Sequence, residues 1–177
     1  MKQIRRTTAL AVLLVTALGV DLGVRGDELQ TDSEQAMEAL QKADSSLKKL
    51  IDDSAGYVIF PGIGRGGFII GGERGKGLVY QKGKVVGEAK VTEINIGAQV
   101  GGESYSELIL FETAEALRDF KASNWEMSAK VNAVAAAEGA AKNAKYQQGV
   151  AVFTLSKGGL MVQATVGGQK FKFKPSE

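Results

Sequence analysis

Residues 56–102 read GYVIFPGIGRGGFIIGGERGKGLVYQKGKVVGEAKVTEINIGAQVGG and hold 14 of the chain's 23 glycines. Short apolar runs, Tyr57-Val58-Ile59-Phe60, Phe68-Ile69-Ile70 and Leu78-Val79-Tyr80, are threaded between them. Glycine inside strand patterns marks bulges, tight bends or close backbone approach. Gly62, Gly64 and Gly67 also satisfy G-x-G-x-x-G. A dinucleotide fingerprint must open a helix whose N-terminus holds the pyrophosphate. Here a strand-like run and further glycines follow instead. Gly75-Lys76 fails as a phosphate loop, with Ile70 where the first glycine belongs and Gly77 where Ser or Thr belongs. The block therefore predicts a bent β-scaffold rather than a nucleotide site.

Upstream, Thr31 with Glu34 forms a capping box that predicts a helix start. Ala36, Met37, Leu40, Ala43, Leu47, Leu50 and Ile51 recur on one face up to a break near Asp53. That stripe is suited to lie on a sheet; membrane insertion by the same stripe is the alternative. Downstream, Pro61-Gly62 is expected to turn the chain and Lys82-Gly83-Lys84 to make a hairpin. Strands are expected at Val85–Lys90, Ile94–Val100 and Ser106–Phe111. Thr113 is placed to cap a short helix, Ala114–Phe120. Ala129–Ala141 is rich in alanine, yet its alternation reads as strand. Val150–Leu155, Leu160–Val166 and Lys170–Phe173 should form a meander joined by glycine turns. The fold class is α+β: a strongly curved, mainly antiparallel sheet of short Gly-rich strands, with an N-terminal amphipathic helix and one short internal helix.

The first residues, MKQIRRTTALAVLLVTALGV, combine Lys2, Arg5 and Arg6 with an apolar core from Ala9 to Val20. A spanning helix needs ~20 apolar residues. The shorter core and Ala17-Leu18-Gly19 read as an export signal, residues 1–19. A linker, 20–30, and a single domain, 31–175, follow. The expected location is therefore periplasmic or envelope-associated. Loss of the three leader cations would turn the formal charge of +2 into −1. The chain has no cysteine and no histidine, which excludes disulfides, thiolate or histidine-based catalysis and the usual zinc sites. No cofactor, metal, nucleotide or nucleic acid is expected. Asp52-Asp53 are adjacent on a helix and so do not share a face. Trp125 reads as core.

Cations are distributed unevenly: residues 142–174 hold six lysines and no acid. Lys170, Lys172 and Lys174 alternate, which puts them on one strand face. Arg65, Arg74, Lys76, Lys82 and Lys84 lie on or beside turns of the glycine block. Together these eight residues are the candidate site for anionic head groups, since glycine-rich turns can also present N–H groups to phosphate. A solvated edge strand is the competing reading of the lysines. A carboxylate-based hydrolase would need Glu73, Glu88, Glu93 or Glu103 to converge in a cleft. The edge strands and amphipathic helix leave a homodimer, or an envelope interaction module, open.

The order of motifs resembles the SYLF, or Ysc84-type, domain family from about Ser33 to Phe173. The carrying residues are the N-terminal helix, Ala55-Gly56-Tyr57-Val58-Ile59-Phe60-Pro61, and Gly71–Gly77 with Leu78-Val79-Tyr80. Ile96-Gly97-Ala98-Gln99-Val100-Gly101-Gly102 follows, then Leu108-Ile109-Leu110-Phe111 with Ala116-Leu117-Arg118-Asp119-Phe120. Three segments depart from the family pattern: Lys145–Gly149, Glu138–Ala141 and Gly158–Val162. The resemblance implies a non-enzymatic lipid-binding domain, with acidic phosphoinositides bound by eukaryotic members and actin by some fungal ones. For a short exported form it implies anionic phospholipids or a membrane surface.

Overall fold

The computed structural model describes residues 21–64, 74–93, 104–122, 124–157 and 166–176. Helix α1 runs from Asp21 to Ala43 and α2 from Leu47 to Asp53. The capping box at Thr31 is thus not a helix start, and residues 21–30, expected as a linker, are helical. The Thr31 hydroxyl donates to the Asp27 carbonyl at 2.9 Å, four residues back inside the helix. Inside a helix the N–H groups that follow already have backbone partners, so no orphan donor is left for Thr31 to cap. The expected single helix is also broken in two. At the break, the buried Asp44 carboxylate accepts from the Ser46 backbone N–H at 3.0 Å and from the Ser46 hydroxyl at 2.5 Å.

Among the described residues eight strands follow: β1 Gly56–Ile63, β2 Gly75–Gln81, β3 Lys84–Glu93, β4 Tyr105–Phe111, β5 Trp125–Glu126, β6 Ala133–Ala135, β7 Val150–Ser156 and β8 Lys170–Pro175. They form one curled sheet in the order β5-β8-β3-β2-β1-β4-β7-β6, antiparallel except for β6 beside β7. This is the expected α+β class with a curved, mainly antiparallel sheet. Helix α3 covers Ala114–Lys121, and Thr113 caps it by accepting the Ala116 N–H at 3.1 Å. Pro61-Gly62 does not turn the chain. It lies within β1, where the register to β4 slips between Phe60 and Ile63. Proline has no N–H to give a ladder and is tolerated at such a bulge. The Pro61 carbonyl instead accepts the Ser106 hydroxyl at 2.9 Å. Lys82 and Gly83 form the expected two-residue hairpin, with φ of 53° and 73°.

The expected strand at Ala129–Ala141 shrinks to β6, followed by the short helix α4, Ala140–Asn143, after Gly139 at φ 80°. The C-terminal meander is also corrected. β7 lies beside β4, whereas β8 lies beside β3, so the two strands are separated by four others in the sheet. Expected strands at Phe68–Ile70, Ile94–Val100 and most of Leu160–Val166 lie outside the described residues.

The sheet has two apolar faces. Its inner face gathers Val58, Phe60, Val79, Ile109, Phe111 and Phe171, with Leu117 and Phe120 of α3. Its outer face carries Ile59, Leu108, Leu110 and Phe153, which pack with Ala36 and Leu40 of α1 and Leu47 of α2. The predicted stripe therefore does pack on the sheet. Trp125 packs against Phe120 and Phe171, with ring centroids 5.3 and 5.5 Å away.

β5 and β6 sit at opposite ends of the strand order, yet only residues 127–132 separate them. Residues 124–136 thus form a strap between the two edges. Met127 and Val131 of the strap are buried in the inner cluster. The Met127 N–H donates to the Gln169 carbonyl at 2.9 Å, and the Gly168 N–H donates to the Met127 carbonyl at 2.7 Å. Gly167 makes this approach sterically feasible, because a Cβ there would lie 2.6 Å from the Ala129 Cα.

Candidate anion-binding face

Alternation along β8 buries Phe171 inward and leaves Lys172 and Lys174 exposed, with Lys170 half-buried. Register then decides which charges meet. Lys172 stands opposite Lys90 of β3, and Lys90 stands opposite Lys76 of β2. Directly opposed residues in an antiparallel pair have Cβ atoms ~5 Å apart. Lys76, Lys90 and Lys172 therefore form a transverse row across three adjacent strands, on the outer face. In register Lys170 lies opposite Glu93 and Lys174 opposite Glu88, and Glu88 shares the outer face with the row. The outer helix α1 packs chiefly on β1 and β2, away from β8.

The structure thus brings together four of the sequence-predicted cations: Lys76, Lys170, Lys172 and Lys174. Lys82 and Lys84 are exposed but sit at the β2–β3 hairpin tip, several residues along the strand from Lys90. Arg74 precedes β2 and donates its backbone N–H to the Val91 carbonyl at 2.8 Å. Arg65 lies outside the described residues. Lys90 was not singled out from sequence. Its alternation with Ala89 and Val91 would have put it on the wet face, but only pairing reveals that it links Lys76 to Lys172.

Of the four acids a hydrolase would need to gather, Glu88 alone has a described side chain. Glu88 is on the outer face opposite Lys174. Glu73 and Glu103 lie outside the described residues. Asp52 and Asp53 make i,i+4 ion pairs with Lys48 and Lys49, at 3.4 and 2.5 Å. Among the described residues two acids are fully enclosed, Asp44 at the α1–α2 break and Glu107 on the inner face of β4. Burial pushes the Glu107 carboxyl up to about 8, against the lowering effect of a hydrogen bond from Gln169. The sequence signal was present: in Tyr105, Glu107, Ile109 and Phe111 a charged residue falls in phase with apolar ones. Among the described residues no group of three or more acids gathers in a way that could hold a metal ion.

Residues 92–177 match the Ysc84 family, described as Las17-binding protein actin regulator. Beta cell expansion factor A of Aeromonas veronii is 28% identical over 145 residues, covering 81% of this chain and 55% of that protein. The chain therefore spans about half the length of the curated relative it matches. The matched region contains β4 through β8, with α3, the strap and the lysines of β8. Over residues 92–177, and across the span shared with that relative, the chain is similar to the Ysc84-type, or SYLF, family.

Proposed function

We propose that this domain is an exported, non-enzymatic module that binds anionic phospholipid head groups at a membrane surface. The observation that carries the reading is the row Lys76–Lys90–Lys172, with Lys170 and Lys174 beside it. Cations gathered on one face act on an anionic surface together. Basic residues near an anionic leaflet contribute ~1 kcal/mol each, so five such lysines suffice for reversible surface binding but not for insertion. Among the described residues no helix is long and apolar enough to cross a membrane. The export signal read in residues 1–19 supports placement at an envelope membrane.

The test is vesicle flotation with residues 20–177. Binding to vesicles containing phosphatidylglycerol should exceed binding to purely phosphatidylcholine vesicles, and should fall as salt is raised, because surface attraction is screened. Equal flotation with both compositions would reject the reading.

A further inference from the structure

Glu107 lies on the inner face of β4, two residue pairs in from the strand end, where Tyr105 faces Ser156. Its register partners are Phe60 on β1 and Thr154 on β7. Gln169 donates its side-chain amide to Glu107 Oε2 at 3.1 Å and to the Tyr105 hydroxyl at 3.2 Å. Glu107 Oε1, Thr154 Oγ1 and Gln169 Oε1 are buried without a hydrogen-bond partner. The groups that face Glu107 are uncharged: Phe60 from β1, Thr154 from β7, Gln169 from the turn before β8, and Tyr105, which titrates, from its own strand. Among the described residues no lysine or arginine acts on its titration. A carboxylate in this position would be a charge buried without compensation, which is strongly unfavourable.

Gln169 joins this carboxyl to the strap. Its side chain holds Glu107, and its backbone carbonyl holds the Met127 N–H. The strap itself is thinly attached, by two residue pairs to β8 and three to β7. A segment held so lightly is where local opening costs least.

We propose that Glu107 is a proton-held bolt: with its proton on, the strap stays docked; when the carboxyl ionises, the strap and the 166–169 turn separate from the sheet and admit water to the apolar interior. The raised titration of Glu107 supports this, because it keeps the proton on at neutral pH. The device is independent of the lysine row, so either can fail alone.

The experiment is amide hydrogen exchange by NMR on the folded chain between about pH 6 and 9.5, with rates referenced to intrinsic exchange at each pH. Protection at the Met127 and Gly168 amides should fall by about tenfold or more as Glu107 ionises, while β1 and β4 stay protected. Glu107→Gln, isosteric and always neutral, should remove the fall. Flat protection in the unaltered protein, a uniform loss across the sheet, or a fall that persists in Glu107→Gln would overturn the proposal. Should Glu107→Gln not fold, the carboxyl 13C shift of Glu107 decides. Its midpoint must coincide with that of the Met127 amide, and a separation of about one pH unit or more rejects the bolt.

Discussion

The carboxylate of Asp44 accepts the backbone N–H of Ala141 at 2.6 Å, across 97 residues of chain. The same side chain accepts the Gly139 N–H at 3.1 Å and both donors of Ser46. One buried acid therefore ends α1, starts the turn into α2 and fixes the start of α4. Removal of one partner leaves buried donors unsatisfied, at ~1–3 kcal/mol each. Asp44→Ala should thus lower stability by roughly 3 kcal/mol in urea denaturation, and Asp44→Asn by less, since an amide oxygen still accepts. An unchanged midpoint for Asp44→Ala would show the contacts to be incidental.

Two buried acids should shape stability against pH in opposite directions. At Asp44, burial raises the carboxyl, but the hydrogen bonds from Ser46, Ala141 and Gly139 outweigh it and leave the pKa below the ordinary 3.8. Its contribution is in place above that ordinary value and is lost as pH falls through the lower folded value. Glu107 has the reverse sign. Its folded pKa is raised from 4.5 to about 8, so the folded state holds a proton that the unfolded chain releases. Stability should decline as pH rises from about 4.5 towards 8 and then level. Thermal melts should show that decline in the unaltered protein and a much flatter alkaline limb in Glu107→Gln.

Lysines that share the outer face should matter for membrane binding more than those at the hairpin tip. Lys90→Glu should reduce flotation with anionic vesicles and weaken its salt dependence. The lost attraction is ~1 kcal/mol, roughly fivefold in affinity, and the reversed charge adds to it. Lys82→Glu should do less. Replacing Lys170, Lys172 and Lys174 together with Gln, which brings no acid opposite Glu88, should cost the most while leaving the melt nearly unchanged, because surface substitutions usually fall within about 0.5 kcal/mol. Equal losses for Lys90→Glu and Lys82→Glu would argue for diffuse attraction rather than a face.

Gly77 is a packing test of the sheet's inner face. A Cβ there would lie 2.5 Å from the Ile59 carbonyl and 2.7 Å from the Phe60 ring. Overpacking of this kind costs ~1–3 kcal/mol, so Gly77→Ala should lower the denaturation midpoint accordingly. Gly64, with nothing within 4 Å of its virtual Cβ, should tolerate the same change.

What the sequence made legible follows from locality. The α1–α2 stripe, β7 and the Thr113 cap are written in residues a few positions apart, and each appears where its pattern put it. The fold class followed from their sum. Pairing is nonlocal, which is why β7 and β8 read as two strands of one meander when the sheet sets four strands between them. Thr31 misled, and the break at Asp44 went unread, for a related reason. Each has a side chain able to bond the backbone in several ways, and the choice depends on what is packed nearby: the turn behind for Thr31, and Gly139 and Ala141 for Asp44. The candidate face was half legible, since alternation gave the phase of Lys170, Lys172 and Lys174, whereas only register could bring Lys90 between Lys76 and Lys172.

Residues 124–136 seat against β8 on one side and β7 on the other. Neither seat exists until distant parts of the chain have been threaded correctly, so this stretch cannot settle early. A molecule with either flank misassembled leaves it dangling, where a protease would cut first. Its resistance to nicking is in effect a proofreading signal for the finished fold.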